Sequence, residues 1–193
     1  MSQQGVKRER SDAARNRRAI LDTTDLLLSQ HGAGNISIDQ IAAAAGVGKG
    51  TIFHRFGSRA GLMRALVVER AEILRQAVID GPPPLGPGAP AATRLLAFFD
   101  AMFELIVDNV ELMIAYDNAT TNTQADEINA FWHRHIAQLL SEARPEVDAA
   151  IMAQVLLSTL NPDVVLHQIR TDHTARLAAA VHSVIKSVVA QDD

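Results

Sequence analysis

From about Ser11 to Val189 apolar residues recur every three or four positions, and no stretch alternates apolar with polar residues long enough to make a strand. That period confines the chain to an all-α fold. Its interruptions set the number of elements. Gly32, Gly46 and Gly57 stop helices, and GPPPLGPGAP at 81–90 excludes one, because proline lacks a donor and glycine loses the most entropy on ordering. About nine helices are predicted. The first spans 11–31, with Ile20, Leu21, Thr24, Leu27 and Leu28 on one face, and the second, 37–46, opens on a Ser37/Gln40 capping box. A very short third covers 49–56, and a long fourth, capped by Ser58, carries Leu62, Leu66 and Ile73 to about Asp80. A fifth aligns Phe99, Met102, Phe103, Ile106 and Val110, and a short sixth lies near 112–118. The seventh, about 125–144, aligns Ile128, Trp132, His135 and Leu139. The eighth begins near Pro145, is apolar on almost every side over 151–160, and bends or restarts at Asn161 and Pro162. The ninth, 171–189, carries Leu177, Val181, Val184, Ile185 and Val188.

With 193 residues, the chain suits one domain or a small module on a larger one. Its net charge of −4 conceals an asymmetry. Up to residue 60 there are nine basic residues against five acidic, a balance of +4; the remainder holds nine against 17, a balance of −8. A basic head on an acidic body is the distribution expected when one end meets a polyanion, so double-stranded DNA becomes the leading partner. The absence of cysteine removes thiol nucleophiles and thiolate zinc sites. The seven histidines form no HExxH, and His133 and His135 point to different helix faces, so neither metal nor cofactor is expected. With no long uncharged apolar run and a polar, basic start, neither membrane span nor signal peptide is expected, and the chain reads as cytoplasmic.

Three helices within the first 57 residues, the second and third divided by Gly46, have the dimensions of a helix-turn-helix. In AAAAGVGKGTIFHRFGS, Ala42, Ala44 and Ala45 permit a close helix crossing, while Val47, Ile52 and Phe56 supply the buried side of the third helix. Lys49, Thr51 and His54 remain for the outer side. Gly48 and Gly50 at the helix start let backbone N–H groups approach a phosphate or base edge. GVGKGT is not a nucleotide phosphate loop. GxxxxGK[ST] requires Gly where Ala43 stands and Ser or Thr where Gly50 stands, after a strand.

Over about Arg15 to Ala65 the sequence resembles the TetR-type (tetracycline-repressor family) transcriptional regulators. Ile41–Gly46 matches the family's IAxxAG, Val47–Phe56 its recognition segment, and Ser58–Leu62 its start of the fourth helix. The resemblance implies a DNA-binding head, 1–57, and a ligand-binding and dimerisation body, 58–193. It makes Ser37 a phosphate contact, places Gly48, Lys49, Gly50, Thr51, Phe53 and His54 at the groove, and makes Arg59 a backbone clamp. Gly48 stands where the family usually has Ser or Thr, and Phe53 where it has Tyr, so two hydroxyl contacts are missing. The implied protein is a bacterial repressor, a homodimer on a near-palindromic operator, released by an unidentified small-molecule effector. The basic arm Lys7–Arg18 resembles leaders that reach DNA in some members; the alternative is a solvated tail.

In the body, Phe99, Met102, Phe103, Ile106, Tyr116, Trp132 and His135 are candidates to line an effector site, against the plainer alternative of core packing. The acidic row Asp100, Glu104, Asp108 and Glu111 reads as a solvated face. An eighth helix apolar all round needs cover on two sides, which assigns Val155, Leu156, Leu177, Val181, Val184, Ile185 and Val188 to a dimer interface unless one subunit buries them alone. An all-α hydrophobic-ligand carrier or enzyme would use the same body without DNA. That alternative leaves the basic head unexplained, and no acid, base or nucleophile constellation accompanies it.

Overall fold

The helices start and stop where local chemistry directs them. In the computed structural model, which describes the backbone of residues 3–116 and 123–190 and the side chains of 14–32, 34–113 and 123–190, every regular element is helical. Among the described residues there are nine α-helices: α1 (Gln3–His31), α2 (Ile38–Ala44), α3 (Lys49–Phe56), α4 (Arg59–Asp80), α5 (Ala91–Tyr116), α6 (Thr123–Ala143), α7 (Ala149–Ser158), α8 (Pro162–Arg170) and α9 (Thr174–Val189). The all-α expectation holds. Two boundaries differ from it.

First, α1 begins at Gln3 rather than Ser11. Second, the separate short helix expected near 112–118 is absent as far as Tyr116, because α5 runs on through Leu112, with no glycine or proline to stop it; residues 117 and 118 lie outside the described residues. At Asn161 and Pro162 the expected bend or restart is a restart, so the apolar stretch is two helices. Asn161 Oδ1 accepts from the backbone N–H of Asp163 at 2.9 Å and of Val164 at 3.4 Å, and Pro162 opens the new turn, where its missing donor is harmless. By length and composition alone 149–170 could cross a bilayer. The Asn161 cap divides it into helices of ten and nine residues, each shorter than the roughly 20 residues a spanning helix needs.

The chain forms two compact units, one of residues 1–67 with 115–119, the other of 68–114 with 120–193. The division between the units falls inside α4, after Val67. In the first unit Ile20, Leu21, Ile41, Ile52, Leu62 and Met63 are fully buried, and α2 packs against both α1 and α3. Thr24, buried among them, donates its hydroxyl to Ile20 O at 2.7 Å, so its polar atom is satisfied within α1.

The second unit buries Phe98, Phe99 and Leu95 of α5 with Ile136, Leu139 and Leu140 of α6, and adds Ala153 and Leu156 from α7, Val165 from α8 and Ile185 from α9. α6 packs on α7, and α8 on α9. Arg144, just past α6, donates Nη1 to Val188 O at 2.9 Å and also to Ala190 O, which supplies a donor to the carbonyls that close α9. Truncating a side chain at this core's centre removes its transfer free energy and leaves a void. Ile136→Ala should lower the unfolding free energy by about 2–5 kcal/mol, measured by urea denaturation against the parent chain.

Candidate nucleic-acid interface

A reading helix must be held from behind and left open in front, and the head does both. Ser37 Oγ accepts from Gln40 N at 3.2 Å while Gln40 Oε1 accepts from Ser37 N at 2.8 Å, the reciprocal pair that starts α2. α2 ends in a turn at Gly46, whose φ of 66° is a backbone conformation that costs other residues strain. The chain then enters α3 with Gly48 as N-cap, and Ile52 is the side chain of α3 that is fully buried. Val47 and Phe56, expected inside, are only half-buried; Arg17 of α1 lies over the Phe56 ring at 5.8 Å. The turn into α4 is tight. Ser58 Oγ accepts from Gly61 N at 3.0 Å, and a Cβ at Gly61 would stand 1.9 Å from Phe56 O.

Gly48, Lys49, Gly50, Phe53 and His54 are exposed and Thr51 is half-buried, so the structure leaves one face of α3 open. Phe53 is the unusual member, a phenyl ring 41% exposed without a polar tip. Ser37 is exposed at the start of α2. Arg59 is half-buried and donates Nη2 to Ile36 O at 3.2 Å, which ties the start of α4 to the segment before α2. One relation had no counterpart in sequence spacing: Lys49 Nζ lies 2.9 Å and 3.0 Å from the two carboxylate oxygens of Asp39, joining α3 to α2. Side chains of Lys7, Arg8 and Arg10 lie outside the described residues; Arg15 and Arg18 are exposed, and Arg18 pairs with Asp22 at 2.9 Å.

In the body, Phe99, Met102, Phe103, Ile106 and Trp132 are all buried in one core cluster with Ile128 and Leu139. Tyr116 ends α5, and its side chain lies outside the described residues. His135 is only 9% exposed, within an aromatic group: its ring meets Phe98 edge-on at 5.5 Å and stacks parallel to Phe131 at 6.0 Å. Burial, with the Arg94 charge second, pushes the His135 imidazole down to about 4, while Glu142 acts weakly in the opposite sense. Arg94 itself was missed in the sequence. It stands four residues before Phe98 on α5, a spacing that puts both on one helix face, but an arginine near a helix start ordinarily reads as solvated.

Of the residues assigned to a dimer interface, Leu156, Val181 and Ile185 are buried within the single chain, Leu177 and Val188 are half-buried, and Val155 and Val184 are exposed. Exposed Ile151 and Val164 were overlooked, although both lie on the apolar 149–170 stretch.

The depressed His135 value carries a stability consequence. The unfolded chain binds a proton near 6.5 that the folded chain refuses until about 4, so folding stability falls as pH drops through that window. Between pH 7 and 4.5 this group should remove about 2 kcal/mol. Chemical denaturation at both values should show that loss in the parent and a correspondingly smaller loss in His135→Phe.

Residues 20–66 match the family model described as bacterial regulatory proteins, tetR family. The HTH-type transcriptional repressor LfrR of Mycolicibacterium smegmatis is 37% identical over 82 residues, which is 42% of either chain; the chain thus spans about two fifths of the length of that relative. Among solved structures, a TetR-family transcriptional regulator from Rhodococcus sp. superposes with a TM-score of 0.62 at 18% identity, covering 92% of this chain and 100% of its own. FadR of Bacillus subtilis, solved in complex with stearoyl-CoA, gives 0.62 at 18% identity and covers 91% of this chain and 99% of its own. These two show a shared fold. The segment 20–66 is thus similar to the helix-turn-helix of the tetR family of bacterial regulatory proteins, and the fold of the chain is similar to those of the two solved regulators.

Proposed function

We propose that this protein is a sequence-specific DNA-binding repressor that acts as a homodimer and leaves its operator when a small molecule occupies the body. The observation that carries the reading is the open face of α3. Gly48, Lys49, Gly50, Phe53 and His54 are presented to solvent from a helix whose opposite side is anchored by Ile52. Backbone N–H groups at the helix start suit a phosphate, Lys49 and His54 suit phosphates or base edges, and Phe53 suits a thymine methyl or a sugar. Ser37 and Arg59 flank that face as phosphate contacts. Two such helices related by a two-fold axis would read half-sites about one helical turn apart.

The body supports pairing and ligand response. Ile151, Val155, Val164 and Val184, on α7, α8 and α9, expose apolar side chains on a chain that otherwise buries most of its large hydrophobics. A matching face on a second copy would cover them. That a fold relative was solved with stearoyl-CoA supports an apolar effector. For release, the effector must bind the operator-free conformer more tightly than the operator-bound one.

Selection of bound duplexes from a random pool, followed by anisotropy titration at several salt concentrations, tests the reading. A near-palindrome with a steep salt slope is expected; enrichment of nothing would sink it. On the selected site, Lys49→Ala should weaken binding about tenfold and lower the salt slope by about one, and His54→Ala should relax base preference at one position of each half-site. In sedimentation velocity, Val155→Glu should convert a dimer into a monomer and abolish the advantage of the palindrome over a single half-site.

A further inference from the structure

Among the described residues, Arg94 Nε and His135 Nε2 are the buried side-chain polar atoms with no hydrogen-bond partner. They belong to α5 and α6 of the same unit, and the Arg94 charge is near enough to act on the imidazole. The rings around them are apolar. Phe98 and Phe131 flank His135, and Trp132 lies 5.4 Å and 5.2 Å from those two rings. An unmatched buried polar atom costs about 1–3 kcal/mol, so two such atoms near each other need an explanation. Packing alone does not supply one: Arg94 is half-buried, yet its Nε–H is shut off from water with nothing to accept from it.

We propose that Arg94 and His135 are the anchoring end of a site for a small organic acid. The carboxylate accepts from Arg94 Nε–H and from His135 Nε2–H, and the apolar body of the acid packs among Phe98, Phe131 and Trp132. The inference rests on the reading that the body takes an effector, and it gives that effector a chemical class. A cationic ligand would meet the Arg94 charge directly. A neutral alcohol can bond both atoms but brings no negative charge to set against the Arg94 guanidinium.

The acid also changes the proton balance. In the free protein the imidazole is neutral at pH 6. A carboxylate beside it favours the imidazolium, so the complex takes one proton from solvent onto His135, with no covalent step. The charges that act on the imidazole are Arg94 from α5 and Glu142 further along α6. From α4, Arg75 lies over the Phe131 ring at 5.5 Å and is paired with Glu72 at 2.7 Å, so that element adds a cation already neutralised. Affinity should therefore fall as pH rises from 5.5 to 7.

Titration calorimetry on the full chain at pH 6, in two buffers of different ionisation enthalpy, tests this with benzoate and octanoate as probes and benzyl alcohol and octan-1-ol as neutral partners. At least one acid should bind at least tenfold more tightly than its alcohol. If the imidazole merely regains its ordinary value near 6.5, binding should take up about 0.75 proton. His135→Gln should abolish the uptake, and Arg94→Gln should weaken the acid more than tenfold without affecting the alcohol. Proton uptake by the parent chain needs no variant, so the test survives a substitution that fails to fold. Equal binding of acid and alcohol, or acid binding without proton uptake, would overturn the site. So would failure of both acids to bind a preparation that still selects an operator, which would leave the regulator reading intact. Acid binding with uptake in a chain that selects no duplex would uphold the site and overturn the regulator reading alone.

Discussion

The burial of Ile52 is the contact on which the recognition surface depends. α3 has eight residues, one of them glycine, with another glycine as its cap. Isolated helices need on the order of 12–15 residues to be even marginal in water, so α3 cannot stand on backbone hydrogen bonds alone. It is helical because α2 packs against both α1 and α3, and because Ile20, Ile41 and Ile52 are closed off from water together. The glycines that weaken the helix are the residues that, in the proposed role, would let a phosphate come close. Recognition and stability thus make opposite demands on α3, and the hydrophobic core of the head reconciles them.

What could be read from the sequence was whatever short-range chemistry decides. The Ser37/Gln40 box, the turns at Gly46 and Gly57, and the restart at Asn161–Pro162 each rest on residues within four positions of one another, and each is where the pattern put it. The break expected before Leu112 was misplaced because nothing in 112–116 stops a helix, and the start of α1 was misplaced because Ser11 is a good cap that the longer helix does not use. The open face of α3 followed from the helical period once Ile52 was taken as its buried side. Pairing between helices did not follow, and Lys49 with Asp39 is an example.

The body shows where periodicity ends as evidence. A stripe such as Leu177, Val181, Val184, Ile185 and Val188 says that a helix has a dry face, but not which surface dries it. The single chain covers Val181 and Ile185 and leaves Val184 exposed, so the period alone does not separate side chains the chain buries from one it leaves open. Likewise, Trp132 and His135 were candidates for a site against the plainer alternative of core packing. The observation that bears on the choice is chemical, a pair of buried polar atoms with nothing to bond, and it involves Arg94, which carries no mark in the sequence.

The contact between Lys49 and Asp39 bears on how the head would search a chromosome. A lysine held against a carboxylate presents almost no net charge to a distant polyanion, so this residue adds little to the diffuse attraction that makes a basic surface linger anywhere on a duplex. In the proposed role its cation would be released to a phosphate or a guanine edge that replaces Asp39, at a cost of about 0–1 kcal/mol for so exposed a pair. Such an arrangement would trade residence time on arbitrary sequence for discrimination at short range.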